Sequence, residues 1–225
     1  MKKLLTKAAF LLFLPLCVLA QQSPENTDNF GGSHEAYIKQ TGNSLTAEII
    51  QEGLNQLSLI EQVGDGSLAY INQLGNSHSD NAATLQQNGE GHFADIHQYG
   101  NYNKALSWPG QQEDWGLIQS GKNHEGFLYQ LGNNNEHAIS QAGSHHYADI
   151  WVTGDHNKGF IGQTGSDNRT GDLSTGGIRQ DGNHNHAIIL QNGNHNKAYS
   201  GQFSDHNSSS ILQQGNHNRA SVVQQ

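Results

Sequence analysis

The chain has 225 residues, of which 33% are hydrophobic and 14% charged, against roughly 45–50% apolar and about 25% charged in an ordinary globular domain. Asn (24), Gln (23) and Gly (27) take up the difference, which argues against a doubly wound enzyme fold, a helical bundle and a coiled coil. The formal net charge is −9, from 20 acidic and 11 basic residues, so no nucleic-acid partner is expected.

In chain order, the first predicted element is a secretory signal over 1–20. Lys2, Lys3 and Lys7 precede an apolar stretch at 10–19, and Val18, Leu19 and Ala20 supply small residues for cleavage before Gln21. The apolar run is too short to span a bilayer, so no transmembrane segment is expected. Cys17, the single cysteine, follows Leu14, Pro15 and Leu16 and lacks the small residue that precedes a lipidated Cys. The exported chain then has no disulfide. Without the three leader lysines it carries 8 basic and 20 acidic residues, a net charge of −12. Residues 21–32 form a polar segment with Pro24 and no repeat.

From 33 to 225 the sequence repeats with a period of eleven. Gln recurs at Gln40, Gln51, Gln62, Gln73, Gln87, Gln98, Gln119, Gln130, Gln141, Gln163, Gln180, Gln191, Gln202, Gln213 and Gln224, with Val152 in one slot. Gly stands two residues after most of them, as at Gly42, Gly121 and Gly193. Asn often stands three further on, as at Asn103, Asn157 and Asn196. Two residues before each Gln is a large aliphatic. Ile fills that slot at Ile38, Ile49, Ile60, Ile71, Ile96, Ile139, Ile150, Ile161, Ile178, Ile189 and Ile211, and Leu85, Leu117, Leu128 and Val222 fill others. Only Ser107 and Ser200 depart, so 15 of 17 are aliphatic and disorder is excluded.

The small, aliphatic and Gln slots alternate at period two, as in Ala187, Ile189 and Gln191, which is the pattern of a strand with one buried face. Gly-x-x-Asn is turn chemistry: Gly accepts positive φ and Asn tolerates the left-handed region. One unit is thus a strand of about six residues and a turn of about five. Two units back to back make a 22-residue coil, and coils stack in parallel register at about 4.8 Å. The expected fold class is all-β, a parallel two-sheet β-solenoid with cross-β character. Inward Gln amides would pair with their copies one coil up and one coil down.

Three spacings break the period. Gln73 to Gln87 is 14, an insertion of three near 76–80. Gln163 to Gln180 is 17, an insertion of six near 170–175. Gln98 to Gln119 is 21, read as two units with one turn residue missing, Pro109 ending an irregular strand and Trp115 in a small slot. The alternative is one unit with a long loop. On the two-unit count there are seventeen strands and eight and a half turns.

The spacing Gln-x-Gly-x-x-Asn-x-Ala-x-x-x-Gln, complete at 180–191, 191–202 and 213–224, resembles the curlin repeat of curli subunits. The resemblance covers about 29–224. It implies a structural subunit, major or nucleator-like, of an extracellular functional amyloid fibre (a fimbrium or pilus) serving adhesion, surface colonisation and biofilm matrix. It implies as partners other copies of the chain, other curli-type subunits, a nucleator and a dedicated outer-membrane export machinery. On this reading 21–32 is an export-targeting tail or a merely disordered end. Leu45, Gln56 and Ser67 in the Asn slot, and Val152 and Ser204 in place of Gln and Gly, depart from the pattern. The alternative is a monomeric extracellular solenoid, an adhesin or a module that binds metal or carbohydrate.

His156, His184, His195, His206 and His217 share the slot before the turn Asn. Stacking would place His184 over His206 and His195 over His217, candidates for a borderline metal or for a pH response through adjacent protonated rings. The plain reading is a polar turn residue. No cofactor is expected. Nor is catalysis: the loops are short, and Glu48, Asp95 and Asp149 are scattered along outward strand positions. The chain's last unit, 218–224, keeps the repeat with no Pro, Lys or covering helix to block it, and Ala36, Ile38 and Gln40 already obey the pattern. Both ends are therefore expected to stack on another copy, head to tail.

Overall fold

The computed structural model describes residues 34–75, 80–106, 116–171 and 177–225. The signal at 1–20 and the polar segment at 21–32 lie outside them. The described residues form strands and turns with no helix, so none is long and apolar enough to cross a membrane.

The chain zigzags between two sheets whose neighbouring strands are all parallel. The first sheet contains β1 (Glu35–Asn43), β3 (Leu57–Asp65), β5 (Ala82–Glu90), β7 (Lys104–Ala105), β8 (Leu117–Lys122), β10 (Glu136–Ser144), β12 (Lys158–Ser166), β15 (His186–Asn194) and β17 (Ser208–Gln214). The second contains β2 (Thr46–Glu52), β4 (Leu68–Leu74), β6 (Phe93–Tyr99), β9 (Glu125–Leu131), β11 (Tyr147–Thr153), β13 (Arg169–Thr170), β14 (Ile178–Asp181), β16 (Lys197–Gln202) and β18 (Arg219–Gln224). Consecutive strands belong to opposite sheets, except β7 with β8 and β13 with β14, and each pairs with the strand one coil away. Ile38 faces Ile60, and Gln40 faces Gln62.

Alternation within a strand sets what is buried. In β4, Ala69, Ile71 and Gln73 point into the core while Tyr70 and Asn72 are half-exposed. The aliphatic slots make two facing columns, each buried side chain stabilising by roughly 1.5–3 kcal/mol. Ile60, Leu85, Leu117, Ile139, Ile161 and Ile189 belong to one, and Ile71, Ile96, Leu128, Ile150 and Ile178 to the other. Ser200 is the exception. It is buried and bonded to Ser209 of the facing sheet at 2.6 Å, so two departures from the pattern satisfy each other.

The interval from Gln98 to Gln119 is one unit, not two. β7 and β8 pair with the same neighbours, β5 and β10; Ala83 faces Ala105 and Leu85 faces Leu117. They are two pieces of one rung, as are β13 and β14, which both pair with β11 and β16. Each nine-stranded sheet therefore has eight rungs, sixteen strand slots and eight coils in place of seventeen and eight and a half. An excursion of ten residues falls one short of the eleven-residue period, which is why spacing alone reads it as a further unit. Ser107, Pro109 and Trp115 lie outside the described residues. Both interrupted rungs break between the small slot and the aliphatic slot, one in each sheet.

The turn geometry also differs from expectation. The left-handed residue is the one before the Asn, as at Asn134 (φ 55°), His156 (φ 59°) and His195 (φ 55°), while the Asn itself turns inward. The Gly two residues after Gln is required for a second reason. Gly143 has φ +126°, and a Cβ there would overlap the carbonyl oxygen of Gly165 on the next coil.

Candidate functional site: side-chain ladders and the terminal rungs

Three kinds of ladder run along the coil axis. The inward Gln amides form the first. In one sheet Nε2 donates to Oε1 of the next coil from Gln40 through Gln62, Gln87, Gln119, Gln141, Gln163 and Gln191 to Gln213, at 2.7–3.0 Å. From Gln62 onward the amide also donates across the thin core to a backbone carbonyl of the other sheet, as from Gln87 to Leu68 at 2.9 Å and from Gln119 to Phe93 at 2.8 Å. A buried amide left unpaired would cost about 1–3 kcal/mol; in the inner coils, as at Gln87, Gln119 and Gln141, both donors and the acceptor are used.

In the other sheet the ladder runs Gln51, Gln73, Gln98, Gln130, then Gln180, Gln202, Gln224, at 2.8–3.1 Å. Val152 interrupts it. The gap is spanned from the facing sheet by His137, which is buried in a small slot. Its Nδ1 accepts from Gln130 Nε2 at 2.8 Å, and its Nε2 donates to Gln180 Oε1 at 2.7 Å. Gly159, one coil on, leaves room for the ring.

The second ladder is the turn Asn column, buried at both edges. Asn103, Asn135, Asn157 and Asn185 each accept at Oδ1 from the backbone N–H of the next copy, at 2.9–3.1 Å. Asn103, Asn135 and Asn157 donate from Nδ2 to a Gly carbonyl one coil on, at 2.8 Å. Ser204 replaces that Gly for Asn185, whose Nδ2 finds no partner among the described residues. At the other edge three coils carry His92, His124 and His146 in the Asn slot. Each Nδ1 accepts the backbone N–H of the next copy at 3.2–3.3 Å, and each Nε2 donates to a carbonyl of its own turn at 3.0–3.3 Å. The neutral Nε2–H tautomer thus reproduces the acceptor and donor of Asn. The rings stack 5.0 Å apart. Burial lowers the pKa of His92 and His146, takes His124 down to about 4, and takes the enclosed His137 down to about 4.

The third ladder is exposed. His156 stacks on His184 at 4.9 Å, His184 on His206 at 5.0 Å, and His195 on His217 at 4.9 Å. The rings lie face to face at 8–20°. Among the described residues no group of three or more His, Cys, Asp or Glu is placed to hold a metal ion.

The inward His137 and the His92–His124–His146 column escape a reading that looks for exposed chemistry. The period does contain them: His92, His124 and His146 each stand five residues after a ladder Gln, where Asn stands elsewhere.

At the terminal rungs the ladders are incomplete. Among the described residues no donor reaches Oε1 of Gln40 or Gln51. Nε2 of Gln213 and of Gln224 donates only across the core, to Lys197 and Ser208 at 3.0 Å. Ile38, Ile49, Ala47, Ala220 and Val222 are partly buried, in contrast to their covered copies. Every Gln-to-Gln bond donates in the same direction along the axis, so acceptors are open at one end and donors at the other.

The curlin associated repeat is recognised at residues 30–53, 42–75 and 79–106. No curated protein matches the chain.

Proposed function

We propose, from the curlin associated repeat recognised at residues 30–53, 42–75 and 79–106, that the chain is a structural subunit of an extracellular amyloid fibre that grows by stacking copies head to tail. The observation that carries this is the one-way sense of the Gln ladders. Continuing the register would set Gln213 Nε2 against Gln40 Oε1 of a second copy, and Gln224 against Gln51. The same step would place Ile211 over Ile38 and Val222 over Ile49, completing both aliphatic columns. Such a contact does not close on itself and gives a filament.

The fibre serves adhesion, surface colonisation and biofilm matrix, and its subunit leaves the cell through the secretory signal at 1–20. Other curli-type subunits, a nucleator and a dedicated outer-membrane exporter are its partners on this reading. The repeat family is structural, and no catalytic role is assigned.

The test is assembly of the chain without its leader and without added ligand. Thioflavin-positive fibres with a ~4.8 Å reflection are expected. A stable monomer whose melting shifts only with a metal or a carbohydrate would overturn the reading in favour of a binding module.

A further inference from the structure

Cations in this fold are held against acids one coil away. Lys39 meets Glu61 at 2.6 Å, Lys122 meets Glu90 at 3.0 Å and Lys158 meets Glu136 at 2.9 Å. Lys104 stands in register with Glu136 as well. The last rungs of the second sheet break this rule. Arg169, Lys197 and Arg219 occupy one outward column in direct register, spaced by about 4.7–4.9 Å. Arg179 is exposed on the same face, in another outward column in register with Gly201 and Val223. None of the four makes an ion pair with a described residue. The sequence puts a single acid, Asp172, in the nearby interruption, outside the described residues.

Like charges directly opposite on a sheet destabilise it. Half of the eight cations that follow the leader are gathered here, in a chain of net charge −12 without that leader. Like charges held in register on an otherwise acidic chain point to an anionic partner. The column edges a groove of about 410 Å³ that also presents the Tyr199 ring and the Ser221 side chain. Beyond Arg169 the column runs on to Tyr147, the exposed acid Glu125, Phe93 and Leu68, and Phe127 and Tyr70 stand in the next outward column. Arg169 lies 4.6 Å over the Tyr147 ring, and a run of rings zigzags between the two columns from Tyr147 to Phe127, Phe93 and Tyr70 at centroid distances of 5.8, 5.3 and 6.0 Å.

We infer that this face, along Arg169, Lys197 and Arg219, binds an acidic polysaccharide. A polyuronate carries one carboxylate per sugar, a periodic charge that a column of cations at strand spacing meets repeatedly. Its apolar ring faces suit the aromatic and Tyr199 surfaces on either side. Nucleic acid fits less well. Duplex DNA carries a charge about every 1.7 Å, which three cations would leave mostly unmatched beside an acidic chain. The aromatic rings also tilt 39–48° onto one another and leave no open slot for a base.

The site does not depend on polymerisation, and soluble chain and assembled fibres are both assayed. The probe is polygalacturonate, with neutral dextran and duplex DNA as comparators. The expected result is salt-sensitive binding of polygalacturonate and none of dextran. The triple variant R169Q/K197Q/R219Q is expected to lose about tenfold or more in affinity. The matched variant K39Q/K122Q/K158Q, which removes the same net charge from paired positions, keeps it. Relief of like-charge repulsion keeps the column variant at least as heat-stable as the parent, and the single variant K197Q gives a second, milder reading. Equal losses in the two triple variants, equal binding of dextran, or tighter binding of DNA than of polygalacturonate would each overturn the inference. Binding to soluble chain that never forms fibres would uphold the site while removing the assembly reading, so the two fail separately.

Discussion

His137 and Val152 depart from the repeat together: the imidazole fills the hydrogen-bond position that the valine leaves empty, between Gln130 and Gln180. The two lie on opposite sheets, so the amide ladder is repaired from across the core. Replacing His137 with Ala leaves the Gln130 donor and the Gln180 acceptor unpaired beside a new void. The expected loss is about 2–4 kcal/mol, read as a lower urea midpoint of the unassembled chain. Val152→Gln alone should also destabilise, because the ring already occupies the space. Combining the two restores a Gln-to-Gln step, so the double variant is expected to be more stable than the sum of the singles predicts. Strict additivity would reject the repair.

The buried imidazoles give stability a defined pH dependence. Burial lowers the folded pKa of His92, His124, His146 and His137 below the unfolded value near 6.5. Below pH 6.5 the unfolded chain therefore takes up protons that the folded chain refuses. Stability is flat above that point and falls as the pH drops toward about 4, the folded value of His124 and His137. At about 1.4 kcal/mol per unit of depression, the enclosed His137 alone removes on the order of 3 kcal/mol across that window. Urea midpoints of the monomer from neutral pH down to about 4 check this. His124→Asn, which keeps an acceptor and a donor but has no proton to gain, should flatten part of the slope. A midpoint that rises on acidification would contradict the sign.

Register is tested by adjacent residues. Ile189 is buried in the aliphatic column and Ile188 is half-buried on the outer face. Ile189→Asp places a charge in the core without a partner and is expected to cost about 3–5 kcal/mol, enough to prevent folding or assembly. Ile188→Asp should be tolerated. Circular dichroism and thioflavin kinetics on the two variants decide it, and equal effects would refute the register.

End stacking predicts unequal roles for strands along the rod. Proline at Ser221 or at Ile38 removes one donor from a terminal rung and should slow fibre elongation while leaving the monomer largely folded. Proline at Ile139, whose N–H bonds the Gly116 carbonyl at 2.8 Å in the middle of the rod, should unfold the chain. Normal growth with both ends altered would favour lateral association through the outward aromatics.

Much of this architecture is written in the period. Gln, the aliphatic residue and the small residue recur at fixed offsets because each meets only its own copy, so the columns of Ile60, Leu85 and Leu117 can be listed before any coordinates exist. What the period hides is equivalence between unlike residues. His92 does the work of an Asn because a neutral imidazole offers one acceptor and one donor at similar reach. His137 sits in a slot that elsewhere holds Ala, and only the facing sheet explains it. The left-handed turn position passes to residues as different as Tyr102, Asp167 and His195, since it is the backbone next to the inward Asn that needs it. The basic column is equally hidden, because Arg169, Lys197 and Arg219 come together only once the interruption at 171–177 is taken out of the count.

The interrupted rungs have a consequence of another kind. Ala105 and Leu117 are neighbours in the core though twelve residues apart in the chain, and Thr170 and Ile178 are neighbours across a gap of eight. Each break opens at an outward position, so the inward sequence of small residue, aliphatic residue and Gln is read through as if nothing intervened. Lengthening such a loop adds closure entropy only logarithmically. The rod is thus a display scaffold with one bay on each broad face. New sequence can enter at either bay without altering any inward residue, which lets the surface of the protein evolve on a separate clock from its interior.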